Sequence, residues 1–360
     1  MTQDQLSIDS YPNDKNALAF CDDFFQGSSP RYILGRNQWA RSIADVVDVD
    51  GFIDDFTTER EFVGKPILKI EDLPPDAMVV STVVGVIPIT AQKKLIEQKV
   101  SHIDYFAFRK YSGKKLSPVW FWDDFLVDFQ AHADKYQWIY SLLADEQSKQ
   151  EFTKIINFRL SSHLSYMDGF VDAQYRQYFE DFLALQPWGE TFLDVGGFDG
   201  YTSLEFIKRC PDHAGVHIFE PEPKNMEVIQ HKMGELPRVH FHNYGLSNCS
   251  QTLRFFVNGS ASRITADGET EIPVKALDEV VSQPFSFLKM DIEGGEMFAL
   301  AGAKQAIINH HPRLAISAYH RHDDFWRIPE LVLSYRDDYQ IFFRHYTEGV
   351  TETVLFFVPQ

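Results

Sequence analysis

TFLDVGGFDGYTSLEF, Thr191 to Phe206, is the stretch that decides the fold. An apolar run ends in Asp194, passes through Gly196, Gly197 and Gly200, and continues with helix-like spacing. In a doubly wound α/β sheet the turn after the first strand contacts the ligand, and glycine there permits close approach and positive φ. We therefore predict that the three glycines bind a ligand and that Asp194 orders the loop amides or receives a cationic amino group.

The spacing of these glycines does not match two common nucleotide motifs. The dehydrogenase motif G-x-G-x-x-G fails from Gly196, which would need glycines at positions 198 and 201, and it also fails from Gly197. Phe198 and Asp199 stand in the turn instead, and an acid there would repel a pyrophosphate. The chain contains no P-loop motif either. The turn suits a cofactor with a cationic amino-acid tail, and Phe198 is included in the predicted cofactor site.

An acid follows the glycine turn at a sequence spacing that is typical of nucleotide-binding sheets. The strand-like segment GVHIFE ends in Glu220, twenty positions after Gly200, where an acid reaches the ribose hydroxyls of an adenosine ligand. Pro221 comes next and is included in the predicted cofactor site. The turn and the acid by themselves do not distinguish NAD from S-adenosylmethionine.

Alternating strand-like and helix-like segments occur in two parts of the chain, which predicts two α/β domains. We predict a small Rossmann-like domain at 1–113, a helical linker or cap at 114–186 and a second domain at 187–360. In the first domain the strand-like segments are RYILG, GFIDDF, MVVSTVVG and HIDYFAF (His102 to Phe108), with a helix that begins at Pro88.

The second domain ends with a tight connection between two strands. Its strand-like segments are TFLDV, GVHIFE, RVHFHNY, FSFLKMD and RLAISAY, with a β-rich insertion around LRFFVN and EIPVKAL. YQIFFRHY and TVLFFVP then follow each other too closely for a crossover helix, so they must be antiparallel. The predicted fold class is α/β, with a mostly parallel Rossmann-like sheet and a reversed last strand. This strand, Phe198 and Asp199 favour S-adenosylmethionine over NAD.

The overall composition limits the partners. The formal net charge of -18 disfavours nucleic acid and anionic membranes and favours a small-molecule or glycan substrate. Three scattered cysteines, Cys21, Cys210 and Cys249, indicate reduced thiols in a cytoplasmic protein. The polar N-terminus does not read as a signal peptide, and Met78 to Ile89, the longest apolar stretch, is too short to span a membrane. The composition is compatible with a homo-oligomer.

The chain resembles FkbM-type methyltransferases from about Tyr136 to Pro359. The resemblance lies in FLDVGGFDGYTSLEF, HIFEPEP, GLSN, IPVKALDEV, FLKMDIEGGEMFALAGA and AISAYHRHDD, in that order. It implies a class I, S-adenosylmethionine-dependent methyltransferase acting on a hydroxyl group, often of a sugar, glycan or secondary metabolite. It also implies that Asp194, Gly196, Gly200 and Glu220 hold the cofactor and that Leu246 and Ser247 flank its adenine. Phe198 departs from the commoner turn D-x-G-x-G-x-G, where a glycine stands.

The first domain resembles the small nucleotide-sugar-binding domain that precedes some sugar acyltransferases. The similar segments are YILGRNQWA, GFIDDF, GKPIL and MVVST. Of the expected glycine-rich turn this segment has only Gly35. The alternative is therefore a domain that binds no ligand or has a purely structural role.

The predicted catalytic residues follow the fourth and fifth strands of the second domain. Asp291 and Glu293 end the strand that faces the methyl-transfer site in this architecture, and His320 follows the next strand. A hydroxyl group needs a base to become nucleophilic, and a histidine with a near-neutral pKa suits that role. We predict His320 as the general base, with Asp291 orienting it or the acceptor and also bordering the cofactor. No metal is predicted; a Mg²⁺ site of Asp291, Glu293 and His320 is the alternative.

Two other functions compete with methyl transfer. One is an NAD-dependent oxidoreductase or epimerase, which the order of strand, turn and acid would also suit. The other is a non-catalytic nucleotide-binding module.

The helix dipole offers a structural explanation for Glu293, because carboxylates are favoured in a first helical turn.

Overall fold

The computed structural model describes residues 5–120, 122–256, 263–264, 268 and 270–360. The first sheet has six strands, which are β1 (Arg31–Leu34), β2 (Gly51–Ile53), β3 (Glu61–Phe62), β4 (Lys65–Leu68), β5 (Met78–Ser81) and β6 (Ser101–Asp104). Their order is β3-β4-β2-β1-β5-β6, and only the edge pair β3 and β4 is antiparallel.

Helices cover this sheet and continue beyond it. They are α1 (Lys15–Gln26), α2 (Gln38–Ala44), α3 (Pro88–Glu97), α4 (Tyr105–Tyr111), α5 (Trp122–Ala131), α6 (Ala133–Leu142) and α7 (Glu146–Ser161). Local chemistry sets several of their starts. Asn37 caps α2 by accepting a hydrogen bond from the Ala40 amide, and Pro88 is the first residue of α3, as predicted.

One predicted strand of the first domain is only partly a strand. HIDYFAF was expected to be extended to Phe108, but β6 ends at Asp104 and α4 begins at Tyr105. The Asp104 carboxylate accepts a hydrogen bond from the Ala107 amide at 2.9 Å. This cap starts the helix despite the β-forming aromatic residues that follow.

The second part of the chain contains two sheets. Its strands are β7 (Thr191–Val195), β8 (Gly215–Phe219), β9 (Val239–His242), β10 (Gly245–Leu246), β11 (Gln251–Phe256), β12 (Arg263–Ile264), β13 (Thr270–Lys275), β14 (Phe287–Met290), β15 (Arg313–Ser317), β16 (Tyr339–His345) and β17 (Thr353–Pro359). Its helices are α8 (Tyr201–Arg209), α9 (Pro223–Met233), α10 (Leu277–Val280), α11 (Glu296–Ala301), α12 (Lys304–His310) and α13 (Asp324–Tyr335).

Seven of these strands form the large sheet, in the order β16-β17-β15-β14-β7-β8-β9. Adjacent strands from β15 to β9 are parallel, and β17 is antiparallel to both β15 and β16. The predicted reversed last strand is therefore confirmed, as is the Rossmann-like α/β class. The insertion forms the small sheet β10-β13-β11-β12; of the predicted LRFFVN stretch, Val257 and Asn258 lie outside the described residues.

A continuous apolar core joins the first domain, the helices and one face of the large sheet. Phe152 of α7 illustrates the packing: its ring centroid lies 5.2 Å from that of Phe343 in β16 and 5.7 Å from that of Phe325 in α13. Truncating such a buried ring to alanine costs about 3–5 kcal/mol. The helical segment is thus fastened to the large sheet by aromatic packing.

The turn between β16 and β17 reaches the first sheet. The Glu348 amide donates to the carbonyl of Val86 at 2.8 Å, and the Val350 amide donates to that of Val84 at 3.3 Å. The Glu348 carboxylate accepts bonds from the amide and the hydroxyl of Thr90 at 2.7 and 2.6 Å. Residues 346–350 are buried. Since residues 84–90 follow β5, this turn covers part of the carboxyl edge of the first sheet.

None of the helices in the described ranges combines the length and the apolar character that crossing a membrane requires. The three cysteines are free thiols, with Cys21 and Cys210 buried and Cys249 exposed.

Candidate active site

The glycine turn joins β7 to α8, and its geometry explains its composition. Gly196 has a φ of 88°, and a Cβ on it would lie 1.9 Å from the carbonyl oxygen of Asp291. A Cβ on Gly197 would lie 2.4 Å from Ile218, and Gly200 has a φ of 82°. The first two glycines are therefore required by the close approach of the neighbouring strands β14 and β8, in addition to any ligand.

Asp194 lies beneath this turn and is fully buried. Its Oδ2 accepts a hydrogen bond from the Ser203 hydroxyl at 2.7 Å, and its Oδ1 lies 3.2 Å from the Nζ of Lys289. Lys289 in turn donates to the carbonyl of Gly196 at 2.7 Å. Asp194 thus orders the loop, as one of its two predicted roles requires, while its contact with a cofactor stays a prediction. Lys289 was not predicted as a site residue.

Glu220 follows β8 and ties its end to the glycine turn. Its Oε2 accepts a hydrogen bond from the amide of Phe198 at 2.9 Å, and its Oε1 accepts one from the amide of Glu222 at 2.8 Å. Burial raises the pKa of this carboxyl group. Phe198 adopts a left-handed φ of 46°, and its side chain stays 42% exposed. The ring is therefore free to meet a ligand, because it is not packed under the sheet.

A cavity of about 500 Å³ brings several predicted residues together. Leu246 and Ser247, the predicted adenine neighbours, line it with Glu293, His320 and Phe298. Among the described residues, Asp194, the three glycines, Glu220, Pro221 and Asp291 are not part of this lining. The predicted adenine pair and two of the predicted catalytic residues therefore share one cavity.

His320 is surrounded by carboxylates. Its Nδ1 lies 3.0 Å from Oε1 of Glu296, and its Nε2 lies 3.4 Å from Oδ1 of Asp291 and 3.7 Å from Oε2 of Glu293. Its side chain is only 6% exposed. The Asp324 carboxylate fixes the backbone next to this side chain by accepting hydrogen bonds from the amides of His320 and Arg321. The structure thus brings the three predicted catalytic residues together and adds Glu296.

This environment sets the charge of His320. Burial opposes protonation, but the carboxylates of Glu296, Asp291 and Glu293 together raise the pKa of His320 to about 10. The predicted near-neutral pKa is therefore wrong, because a single histidine faces three acids. At neutral pH the free protein carries an imidazolium here, which donates hydrogen bonds rather than accepts a proton.

A second network of polar side chains lies on the other side of Asp291. The Tyr178 hydroxyl donates to Oδ2 of Asp291 at 2.7 Å and lies 3.0 Å from the hydroxyl of Ser317. Gln177 donates to the Tyr178 oxygen at 2.9 Å and to Oε2 of Glu352 at 2.7 Å. These residues were not predicted, because they come from segments distant in sequence and carry no local motif.

Glu352 precedes β17 and is the acid of this second network. Its Oε1 accepts a hydrogen bond from the Tyr319 hydroxyl at 3.3 Å. Burial, with a further contribution from the charge of Asp291, raises the pKa of Glu352 to about 7. Its backbone is in the left-handed region, with a φ of 68°. Strain of this kind costs about 1–3 kcal/mol and persists only where the surroundings enforce it.

The alternative of a metal site can be tested against these contacts. Asp291, Glu296 and His320 offer donor atoms within 4.8 Å of one another. Asp291 and Glu296, however, face different ring nitrogens of His320. An ion at Nε2 would have Asp291 and Glu293 as partners, which is the predicted alternative set, and Glu296 would orient the ring through Nδ1. The residues therefore fit a divalent cation only after His320 loses its proton.

Comparisons with known proteins point to one family. Residues 194–346 match the family model described as "Methyltransferase FkbM domain". A search of curated proteins found no significant match. Among solved structures, the methyltransferase FkbM from Methylobacillus flagellatus KT is similar, with 24% identity over 99% of this chain and 95% of that chain and a TM-score of 0.75. The two chains share the fold over nearly their whole length.

Two further solved structures match about half of the chain. They are an rRNA methylase from Streptococcus thermophilus (15% identity, 50% of this chain, 92% of that chain, TM-score 0.34) and a putative methyltransferase from Streptococcus mutans in complex with SAH (11%, 49%, 92%, TM-score 0.31). TM-scores this low support no conclusion.

Proposed function

We propose that this chain, a methyltransferase whose residues 194–346 match the FkbM domain, transfers the methyl group of S-adenosylmethionine to a hydroxyl group of a sugar, glycan or secondary metabolite. The observation that carries this proposal is the cluster of Asp291, Glu293 and His320 beside a cavity that the predicted adenine neighbours also line. The family match favours methyl transfer over an NAD-dependent oxidoreductase.

The described residues fit the cofactor at two places. Glu220 presents a buried carboxylate at the end of β8, which suits a ribose diol, and its Oε2 has a second lone pair beyond the bond that it accepts from the Phe198 amide. Leu246 and Ser247 are buried in the wall of the cavity and offer an apolar and a polar surface to a base. Phe198, next to the turn, is exposed enough to contact the cofactor.

The side chains around Asp291 would position the acceptor hydroxyl group and receive its proton. When bound, S-adenosylmethionine supplies a methyl group that is already activated, so the protein mainly has to align the acceptor oxygen with it. The His320 imidazolium can donate a hydrogen bond to that oxygen and is held in orientation by Glu296. The proton of the hydroxyl group must then go to a carboxylate.

The acidic character of the protein supports the proposed acceptor class. With 34 basic and 52 acidic residues, the surface repels phosphate backbones, which favours a small molecule or a glycan over nucleic acid. The free thiols agree with a cytoplasmic location, which we also propose.

Calorimetric titration tests the cofactor. We expect S-adenosylhomocysteine to bind and NAD not to bind. Glu220→Gln should lower the affinity for S-adenosylhomocysteine by roughly tenfold, because one charged hydrogen bond contributes about 1.5–3 kcal/mol to binding. Glu235→Gln, an exposed residue beyond α9, is the matched control. Binding of NAD alone would overturn the proposal, as would a failure of labelled methyl transfer to every member of a panel of sugars and hydroxylated metabolites.

A further inference from the structure

We propose that His217, His240 and His242 form a structural binding site for Zn²⁺, which would fasten the edge strand β9 to β8. The proposal does not depend on methyl transfer, because these three side chains belong neither to the His320 cluster nor to the described lining of the cavity beside it. It is carried by the positions of the three imidazoles and of the side chains around them.

Strand pairing places the three imidazoles on one face of the large sheet. His240 and His242 are two positions apart on β9, so their side chains point to the same side of the sheet. His217 on β8 is paired directly with His240 in the parallel ladder. His240 is exposed and the other two are half-buried, and β9 ends the order of strands in this sheet. An ion can therefore reach the three side chains from solvent.

Two of the nitrogens already lie at the separation that one metal ion requires. Nδ1 of His217 is 3.1 Å from Nε2 of His242. Two nitrogens bound to one tetrahedral Zn²⁺ at about 2.0–2.1 Å lie about 3.3 Å apart. A small rotation of the two rings would replace the hydrogen bond between them by two bonds to one ion. The proton of that hydrogen bond would move to the other nitrogen of its own ring, since imidazole binds a metal in its neutral form.

Tyr244 and Phe219 hold the ring of His242 in place. The Tyr244 hydroxyl lies 3.2 Å from Nδ1 of His242, the nitrogen that does not face His217. Phe219 stacks on the same ring, with 4.4 Å between the centroids and 13° between the planes. A metal-bound histidine almost always uses its second nitrogen for a hydrogen bond, which fixes the orientation of the ring. His242 has this arrangement in the structure.

His240 would supply the third nitrogen. Its ring stacks on that of His217 with 4.6 Å between the centroids, so it has to turn about its side-chain torsions to bring a nitrogen to the pair. Its exposed position leaves room for that turn. Three imidazoles and one water molecule would complete the four-coordinate shell that Zn²⁺ prefers.

The two inner imidazoles are neutral at neutral pH. Burial lowers the pKa of His217 and of His242 to about 4, and His240 lowers both further. Lys275, whose ammonium group lies 4.4 Å from the ring centroid of Tyr244, also lowers the pKa of His242. Neutral imidazole suits zinc, copper and nickel ions, whereas magnesium and calcium ions prefer oxygen ligands. The site should therefore discriminate against Mg²⁺.

An ion at this place would stiffen the strand that borders Glu220. The Glu220 amide donates to the carbonyl of His242 at 3.1 Å, and the Asn243 side chain donates to the carbonyl of Glu220 at 3.0 Å. A ligand that binds the folded state and not the unfolded one raises stability. Loss of the ion should accordingly lower the midpoint of thermal unfolding.

Zinc titration of the tag-free full chain, after dialysis against EDTA, tests the site. We expect calorimetry to show micromolar or tighter binding that excess Mg²⁺ does not displace, and we expect Zn²⁺ to raise Tm by several degrees. His217→Gln and His242→Gln should each lower the zinc affinity by about 100-fold or more, and His240→Gln and Tyr244→Phe by roughly tenfold. His231→Gln, at an exposed histidine in α9, is the matched control and should bind zinc like the wild type.

The unfolding midpoint in EDTA shows whether each variant is folded, and it should match that of the wild type most closely in His240→Gln because this side chain is exposed. Co²⁺ provides a second measurement, since its visible absorption when bound to histidine should appear in the wild type and weaken in His240→Gln. A wild type that does not bind Zn²⁺, or equal binding by His217→Gln and the wild type, would overturn the site. Unchanged zinc affinity in His240→Gln would remove the third ligand and with it the proposed three-histidine set.

Discussion

Lys289 and Asp194 form an ion pair beneath the glycine turn, with 3.2 Å between Nζ and Oδ1 and both side chains less than 5% exposed. Lys289 also holds the carbonyl of Gly196, so one ammonium group connects β14 to the turn that follows β7. The segment KMDIEGGE, Lys289 to Glu296, therefore contributes to the turn through its lysine as well as to the His320 cluster through its acids.

Lys289→Met should strongly destabilise the protein. The substitution leaves Asp194 buried with the Ser203 hydroxyl but without a counter-charge, and removing one partner of such a pair costs about 3–5 kcal/mol. Urea denaturation measures the change. Lys232→Met breaks the exposed pair with Asp199 and should cost less than about 1 kcal/mol. Equal effects of the two substitutions would show that burial does not govern the pair.

Gly196→Ala should prevent the glycine turn after β7 from adopting its native conformation. The added Cβ would meet the Asp291 carbonyl at 1.9 Å, and a positive φ adds strain, so we expect a loss of several kcal/mol and of S-adenosylhomocysteine binding. Gly189→Ala is the control, since Gly189 also has a positive φ but has open space around it, and it should cost only about 1 kcal/mol. Denaturation and calorimetry would contradict this account if Gly196→Ala behaved like Gly189→Ala.

His320 should stabilise the fold most below neutral pH. Its pKa is raised from an ordinary value of 6.5 to about 10 in the folded protein, so its contribution is fully present below pH 6.5 and is lost as the pH rises through about 10. His320→Gln should therefore be less stable than the wild type by several kcal/mol at pH 6, with the difference shrinking toward pH 10. Denaturation of both proteins across this range measures it. A difference that grows with pH would mean that His320 is neutral when buried.

Removal of divalent cations should leave methyl transfer intact. The ring nitrogens of His320 already face Glu296 and Asp291, so the free protein holds a proton where an ion would bind. We expect turnover after dialysis against EDTA to stay within about twofold of the untreated enzyme. Loss of turnover that Mg²⁺ or Mn²⁺ restores would favour the alternative set of Asp291, Glu293 and His320.

Much of the second domain was predictable from local patterns. β7 has the predicted bounds, Thr191 to Val195, because a buried strand reads as a continuous apolar run before a glycine turn. The reversal of β17 followed from the length of the connection before it. The clustering of Asp291, Glu293 and His320 followed from their places after adjacent parallel strands.

The rest depended on contacts between segments far apart in sequence. Tyr178 and Asp291 are separated by 113 positions and Thr90 and Glu348 by 258, so no local pattern marks either pair. The charge of His320 was also hidden, because it follows from the sum of three nearby carboxylates. The short strand pair β3 and β4 left too few residues for an alternating pattern.

The turn between β16 and β17 has a consequence for how the chain folds. It joins the segment after β5 to β17, which lies between β15 and β16, so residues beyond position 345 both complete the large sheet and contact the first domain. During synthesis, β15 would emerge before its antiparallel neighbour β17 exists. Pairings of such long sequence separation form slowly and leave strand edges open to aggregation in the meantime. We therefore expect chains cut before Tyr346 to require chaperones, and folding of the whole protein to be limited by the arrival of its last hairpin.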